Sequence, residues 1–179
     1  MKTSSILIIG TGALATLFAA RLSATGVDVT MLGTWQAGLD ALRKEGARLA
    51  AADGVERAYP VRVTDDPAKC RGARFALVLV KAWQTERAAR QLTSCLAEDG
   101  LALTLQNGLG NVEVLQEVLG AERVMPGLTF HSADLKGPGQ VIHTNEGATY
   151  LGELDKSRTP RLARLSEWMG QAGMNPVLE

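Results

Sequence analysis

The residues able to do chemistry fall at a few places along the sequence. Gly10-Thr11-Gly12-Ala13-Leu14-Ala15 follows Ile6-Leu7-Ile8-Ile9, so an apolar run breaks into a glycine-rich turn and a helix-forming stretch. In this spacing Gly10 permits a tight turn, and Gly12 has no Cβ to hold a pyrophosphate away from the backbone. The small Ala15 lets the next helix lie close to the strand. The unpaired N–H groups at that helix start offer phosphates a partial positive charge. Lys81, Asn107 and His131 each follow another strand-like apolar run. Lys81 can offer its charge to a ribose, phosphate or carboxylate, and Asn107 presents a donor and an acceptor to a hydroxyl, ketone or carboxamide. Each also has a plainer reading: a solvated lysine, an Asn-Gly turn, a structural histidine.

Such side chains converge only if the elements between them form a parallel sheet, because ligands of open α/β sheets bind outside the strands' carboxyl ends. Short branched runs alternate with longer Ala/Leu/charged segments up to about residue 120, the pattern of α/β folds. Val27 to Leu32 reads as a second strand, completing a βαβ unit. Trp35 to Glu45 reads as a helix closed by Gly46. Arg48 to Ala51 and Arg57 to Thr64 read as strands around an Asp53-Gly54 turn. Phe75 to Val80 and Leu101 to Leu105 are continuously apolar, as buried parallel strands are. Thr85 to Leu96 reads as a helix, and Asn111 as the cap of a helix running to Leu119. Beyond Glu122 the pattern predicts a strand from Val124 to Phe130 and a turn at Lys136 to Gly139. It then predicts a hairpin of Gln140–Thr144 and Ala148–Leu151 around Asn145-Glu146-Gly147. Arg161 to Met169 forms a last helix behind Pro160, and Met174 to Val177 a final strand. The fold expected over residues 1–179 is therefore one α/β domain: a doubly wound, mostly parallel Rossmann-type sheet with helices on both faces and a C-terminal hairpin segment.

Composition limits the partners. Lys and Arg total 19 against 19 Asp and Glu, so no general affinity for nucleic acid or anionic membranes is expected. Aromatic residues, at 4%, are too sparse for a base-stacking platform. Cys70, Cys95, His131 and His143 show no metal-ligand spacing, so no metal site is expected, and two thiols make no disulfide framework. Lys2 with the uncharged stretch to Ala20 also has the outline of a secretory leader. The Gly-Thr-Gly interruption, and the need for this strand in the sheet, favour the nucleotide reading and a cytoplasmic protein.

Taken in order, Gly10–Ala15, Leu79-Val80-Lys81-Ala82-Trp83-Gln84 and Gln106-Asn107-Gly108-Leu109-Gly110 are more specific than any one alone. With Gly127–Ala133, Gly139–His143, Gly147 and Leu151-Gly152, the sequence resembles the nucleotide-binding domain of the ketopantoate reductase family along essentially its whole length. The resemblance implies NADPH-dependent reduction of 2-ketopantoate to pantoate, on the route to pantothenate. It implies that Gly10, Thr11, Gly12, Ala13, Leu14 and Ala15 hold the pyrophosphate. Lys81 would lie near the cofactor ribose and substrate, Asn107 at the nicotinamide and substrate, and the backbone of Ala133 against the cofactor.

Two departures follow. The family often carries an arginine after the second strand, suited to a 2′-phosphate, where this sequence has Gly33-Thr34-Trp35. With no acid there either, NADP(H) remains the expected cofactor, with Arg43 or Lys44 as candidate phosphate partners. The family's helical C-terminal domain, with its proton-donating lysine, is not represented, so these residues alone are expected to bind cofactor but to turn over the small 2-keto acid substrate, ketopantoate, negligibly. A dehydrogenase for another 2-keto or 2-hydroxy acid, and a non-catalytic nucleotide-binding module, stand as alternatives.

Overall fold

The computed structural model describes residues 5–50 and 54–179. An eight-stranded sheet carries the fold, in the order β12-β11-β8-β7-β6-β1-β2-β5. Its parallel part comprises β1 (Ser5–Ile9), β2 (Asp28–Leu32), β5 (Arg62–Thr64), β6 (Ala73–Val78), β7 (Leu96–Thr104) and β8 (Val124–Thr129). Strand order reverses between β1 and β6, which places a topological switch point at the carboxyl end of β1. Two short strands extend the far edge. β11 (Thr149–Leu151) pairs antiparallel with β8, and β12 (Pro176–Leu178) parallel with β11.

Side-chain alternation along β1 divides the core. Ile6 and Ile8 join Phe18 and Leu22 of α1 (Ala13–Ala24) and Leu165 and Trp168 of α5 (Pro160–Gln171) on one face. Leu7 and Ile9 join Leu92 of α3 (Thr85–Cys95) and Leu115 of α4 (Asn111–Leu119) on the other. Every strand of the parallel part between β2 and β8 is covered in this way, which is why Phe75 to Val80 is apolar without interruption.

A second, four-stranded sheet has the order β4-β3-β10-β9. It is formed by β3 (Ala47–Ala50), β4 (Glu56–Tyr59), β9 (Ser132–Gly137) and β10 (Gln140–Asn145). It packs on the outer side of α1, so that helix is buried between two sheets, with Leu17, Phe18, Ala19, Ala20 and Leu22 fully enclosed. An all-round apolar helix is what such a position requires. The apolarity of Ala13–Ala20 therefore reflects a helix enclosed between two sheets.

Three sequence expectations are corrected. Pro60 splits the run from Arg57 to Thr64 into β4 and β5, which lie in different sheets; the Asp53 half of the expected Asp53-Gly54 turn lies outside the described residues. The hairpin turns at Pro138-Gly139 between β9 and β10, whereas Asn145, expected in a turn with Glu146 and Gly147, ends β10, and residues 146–148 cross between sheets, because β11 pairs with β8. Asn111 is the first residue of α4, and Gly110, in the left-handed region, occupies the cap position. Among the described residues no helix is long and apolar enough to cross a membrane.

Candidate functional site

A cleft of about 490 Å³ opens at the carboxyl ends of β1, β2, β6 and β7. Its floor is the glycine turn. Gly10 has φ +128°, and a Cβ there would come within 2.8 Å of the Leu79 carbonyl oxygen, so the turn and the end of β6 approach as only glycine allows. Gly12 differs: its φ is −82°, and a Cβ would meet nothing within 4 Å. The backbone at Gly12 thus faces open cleft at the start of α1, the approach a pyrophosphate needs. Thr11 is buried against Gly33, fixing the turn to the end of β2. Ala13 and Leu14 border the cleft, while Ala15 is fully buried behind it and serves packing.

Lys81, Asn107, His131 and Ala133 all line the same cleft, so the residues singled out at successive strand ends do converge. Lys81 opens a short 3-10 turn, Ala82–Gln84, where the Gln84 amide donates to the Lys81 carbonyl at 2.8 Å. Asn107 is exposed in the loop after β7. Arg87 and Gln91, one helical turn apart on α3, complete one wall. Among the described residues the lining contains no carboxylate, and its cations are Lys81 and Arg87. Arg43 pairs with Asp40 at 2.8 Å, and neither Arg43 nor Lys44 reaches the cleft.

Behind the lining runs a polar web that sequence reasoning missed. The Gln106 amide donates to the Val80 carbonyl at 2.8 Å and to Thr85 Oγ1 at 2.9 Å. Thr85 donates to Asn111 Oδ1 at 2.9 Å, and the Asn111 amide donates to the carbonyls of Asn107 and Gly108 at 3.0 and 3.2 Å. Thr104 Oγ1 donates to Gln106 Oε1 at 3.1 Å. Every donor has an acceptor, and the web ties the lysine loop to the asparagine loop. Nothing in the spacing of Gln106, Thr85 and Asn111 announces this; a run of polar residues at otherwise apolar strand ends is the only signal.

His131 belongs to a buried chain. An Arg21 guanidinium N–H lies 3.0 Å from His143 Nδ1, and His143 Nε2 lies 3.0 Å from His131 Nδ1. Because guanidinium is a donor only, His143 Nδ1 accepts, and His143 Nε2–H donates to His131. The Gly147 amide, 3.4 Å from the same His131 Nδ1, requires the same assignment. Burial above all holds both imidazoles below their ordinary range; for His143 the Arg21 charge adds to it. His131 is also edge-on to Phe18 of α1 at 6.3 Å. These contacts fasten the Ser132–Ala133 rim to α1. Cys70 and Cys95 are buried free thiols away from the cleft.

This geometry has relatives. Residues 6–156 match the model of the family described as ketopantoate reductase PanE/ApbA. The sequence is 34% identical to the 2-dehydropantoate 2-reductase of Halobacterium salinarum over 97% of its length, and 33% identical to that of Archaeoglobus fulgidus. It spans 57% and 55% of those proteins, little more than half their length. The crystal structure of 2-dehydropantoate 2-reductase from Geobacter metallireducens superposes with a TM-score of 0.88 at 30% identity, covering 98% of this chain and 57% of that one. At 23% identity and a TM-score of 0.86, the ternary structure of a D-mandelate dehydrogenase with NADH and anilino(oxo)acetate shares the fold.

Proposed function

The chain belongs to the ketopantoate reductase family, and on that premise we propose that it supplies the NADPH-binding half of a 2-dehydropantoate 2-reductase. The observation carrying this reading is one carboxylate-free cleft at a switch point, where the Gly10–Gly12 turn, Lys81 and Asn107 meet. The cleft's residues fit a dinucleotide: Gly12 leaves room beside the α1 N-terminus, and the lining carries positive charge without an opposing acid. When held there, NADPH would supply the hydride for the ketone carbon of 2-ketopantoate.

The chain's own residues bind and orient. The glycine turn and α1 receive the pyrophosphate. Lys81 faces the ribose and the substrate carboxylate, and Asn107 donates to the substrate oxygen while accepting from a hydroxyl or carboxamide. The Ala133 backbone closes the far rim. The developing alkoxide requires a general acid, which we assign to a substrate-bearing helical region outside these residues, as relatives of nearly twice the length allow. Trp83, Leu109 and Phe130, exposed in the loops after β6, β7 and β8, would offer such a region apolar surface on which to dock.

The test is a chimera joining residues 1–179 to the remaining part of the Geobacter metallireducens relative. The proposal expects it to oxidise NADPH with 2-ketopantoate, while residues 1–179 alone bind NADPH without turnover. A folded, NADPH-binding chimera that reduces other 2-keto acids but not 2-ketopantoate would contradict the substrate assignment. Turnover by residues 1–179 alone would contradict the placement of the acid.

A further inference from the structure

The cleft wall after β2 is uncharged, yet Leu32, Gly33, Thr34 and Trp35 all line it where a Rossmann-type fold places the adenosine ribose. An acid here would clamp an unmodified ribose diol, and an arginine would meet a 2′-phosphate. Resting on the proposed cofactor reading, we infer that the 2′-phosphate is received from the opposite wall, by Arg87 of α3, with Trp35 as the platform under the adenine.

Three observations carry this. The first is an account of charges. Arg90, on the same helix, pairs with Glu86 at 2.5 Å, and Arg43 pairs with Asp40. Arg87 lines the cleft, is exposed, and has no carboxylate within ion-pair distance among the described residues. It is a cation facing a cavity that contains no anion of its own. The second is separation of tasks. Lys81, the other lining cation, precedes α3 beside the glycine turn and Asn107, whereas Arg87 lies nearly two turns further along the wall, with Gln91 beyond it. The third is Trp35. A Cβ at Gly38 would strike its ring, so the indole lies on the backbone of α2 (Gln36–Glu45), and its remaining exposed surface borders the cleft. An aromatic face held in this way suits a purine, and the guanidinium opposite suits a phosphate.

The experiment titrates residues 1–179 and the Arg87→Gln variant calorimetrically with NADPH, NADH, adenosine 2′,5′-bisphosphate and AMP. Circular dichroism confirms that both proteins are folded. Wild type is expected to prefer NADPH to NADH and the bisphosphate to AMP. In Arg87→Gln, NADPH and the bisphosphate should weaken about tenfold, with NADH and AMP nearly unchanged. Added salt should erode the preference of wild type but not of the variant, because Arg87 is solvent-exposed. Arg43→Gln, outside the cleft, should behave as wild type. A preference for the 2′-phosphate that survives Arg87→Gln overturns the inference alone, as does equal weakening of both cofactors. Wild type that binds NADH as tightly as NADPH overturns the cofactor reading, and the inference with it.

Discussion

His131 Nδ1 lies 3.0 Å from His143 Nε2, in a pair that links the rim of the cleft to the helix beneath it. Arg21 of α1 fixes the proton positions through His143, so both imidazoles are neutral in the folded protein. Glu146 faces this chain from solvent, 3.6 Å from Arg21 and 3.8 Å from His143.

Stability should therefore fall with mild acid. Both histidines have folded values below the ordinary one, so the unfolded chain takes up protons first. Their contribution is complete above about pH 6.5 and is lost as the pH falls through the folded values. Urea unfolding midpoints measured across this range should decline, and His143→Phe should flatten the decline. An unchanged slope in the variant would count against the pair as its source.

Two glycines two residues apart should fail differently. Gly10→Ala places a Cβ near the Leu79 oxygen at a φ of +128°, and should destabilise by about 1–3 kcal/mol. Gly12→Val has an ordinary φ and free space, so it should leave the unfolding midpoint alone while blocking the approach of a pyrophosphate. Thermal melts and NADPH titrations of the two variants separate the effects.

The web behind the cleft makes Thr85 more costly to change than Asn107. Thr85→Val leaves the Gln106 amide one acceptor short and the buried Asn111 Oδ1 without its donor. It should lose about 1–2 kcal/mol and weaken NADPH binding as the two loops lose their register. Asn107→Ala removes an exposed side chain and should leave stability unchanged, so any loss of ligand binding there reports contact.

At the start of α5, Glu153 is buried and held by Arg161 through contacts of 2.8 and 2.9 Å, with Thr159 donating at 2.5 Å. Burial raises the carboxyl, but the hydrogen bonds outweigh it and keep it below the ordinary range. Arg161→Leu should cost about 2 kcal/mol or more by stranding the carboxylate. The stabilisation holds above the unfolded value and is lost as the pH falls through the folded one. The stability gap between wild type and Glu153→Gln should accordingly close below about pH 4, which acid unfolding curves would reveal.

The parallel sheet was legible because buried strands such as Phe75–Val80 and Leu101–Leu105 have few alternatives, and glycine turns mark their ends. The cleft was legible for the same reason, since strand ends converge by topology. The second sheet was not. β3 and β10 pair residues 92 apart in the sequence, and β9, Ser132–Gly137, alternates too weakly to read as a strand. The His131–His143 pair was hidden likewise, because its members meet only through the β9–β10 register, where His143 lies opposite Ala133. Arg43 and Lys44 were natural candidates by sequence position, and only the direction in which α2 presents them removes them from the cleft.

We propose that the cleft at the end of β1 holds a phosphorylated nicotinamide dinucleotide. Calorimetric titration of residues 1–179 with NADPH and with NADH tests it directly. Saturable one-to-one binding of NADPH is expected, tighter than that of NADH and abolished by Gly12→Val. Absence of binding by the folded chain, or NADH bound at least as tightly, would contradict it.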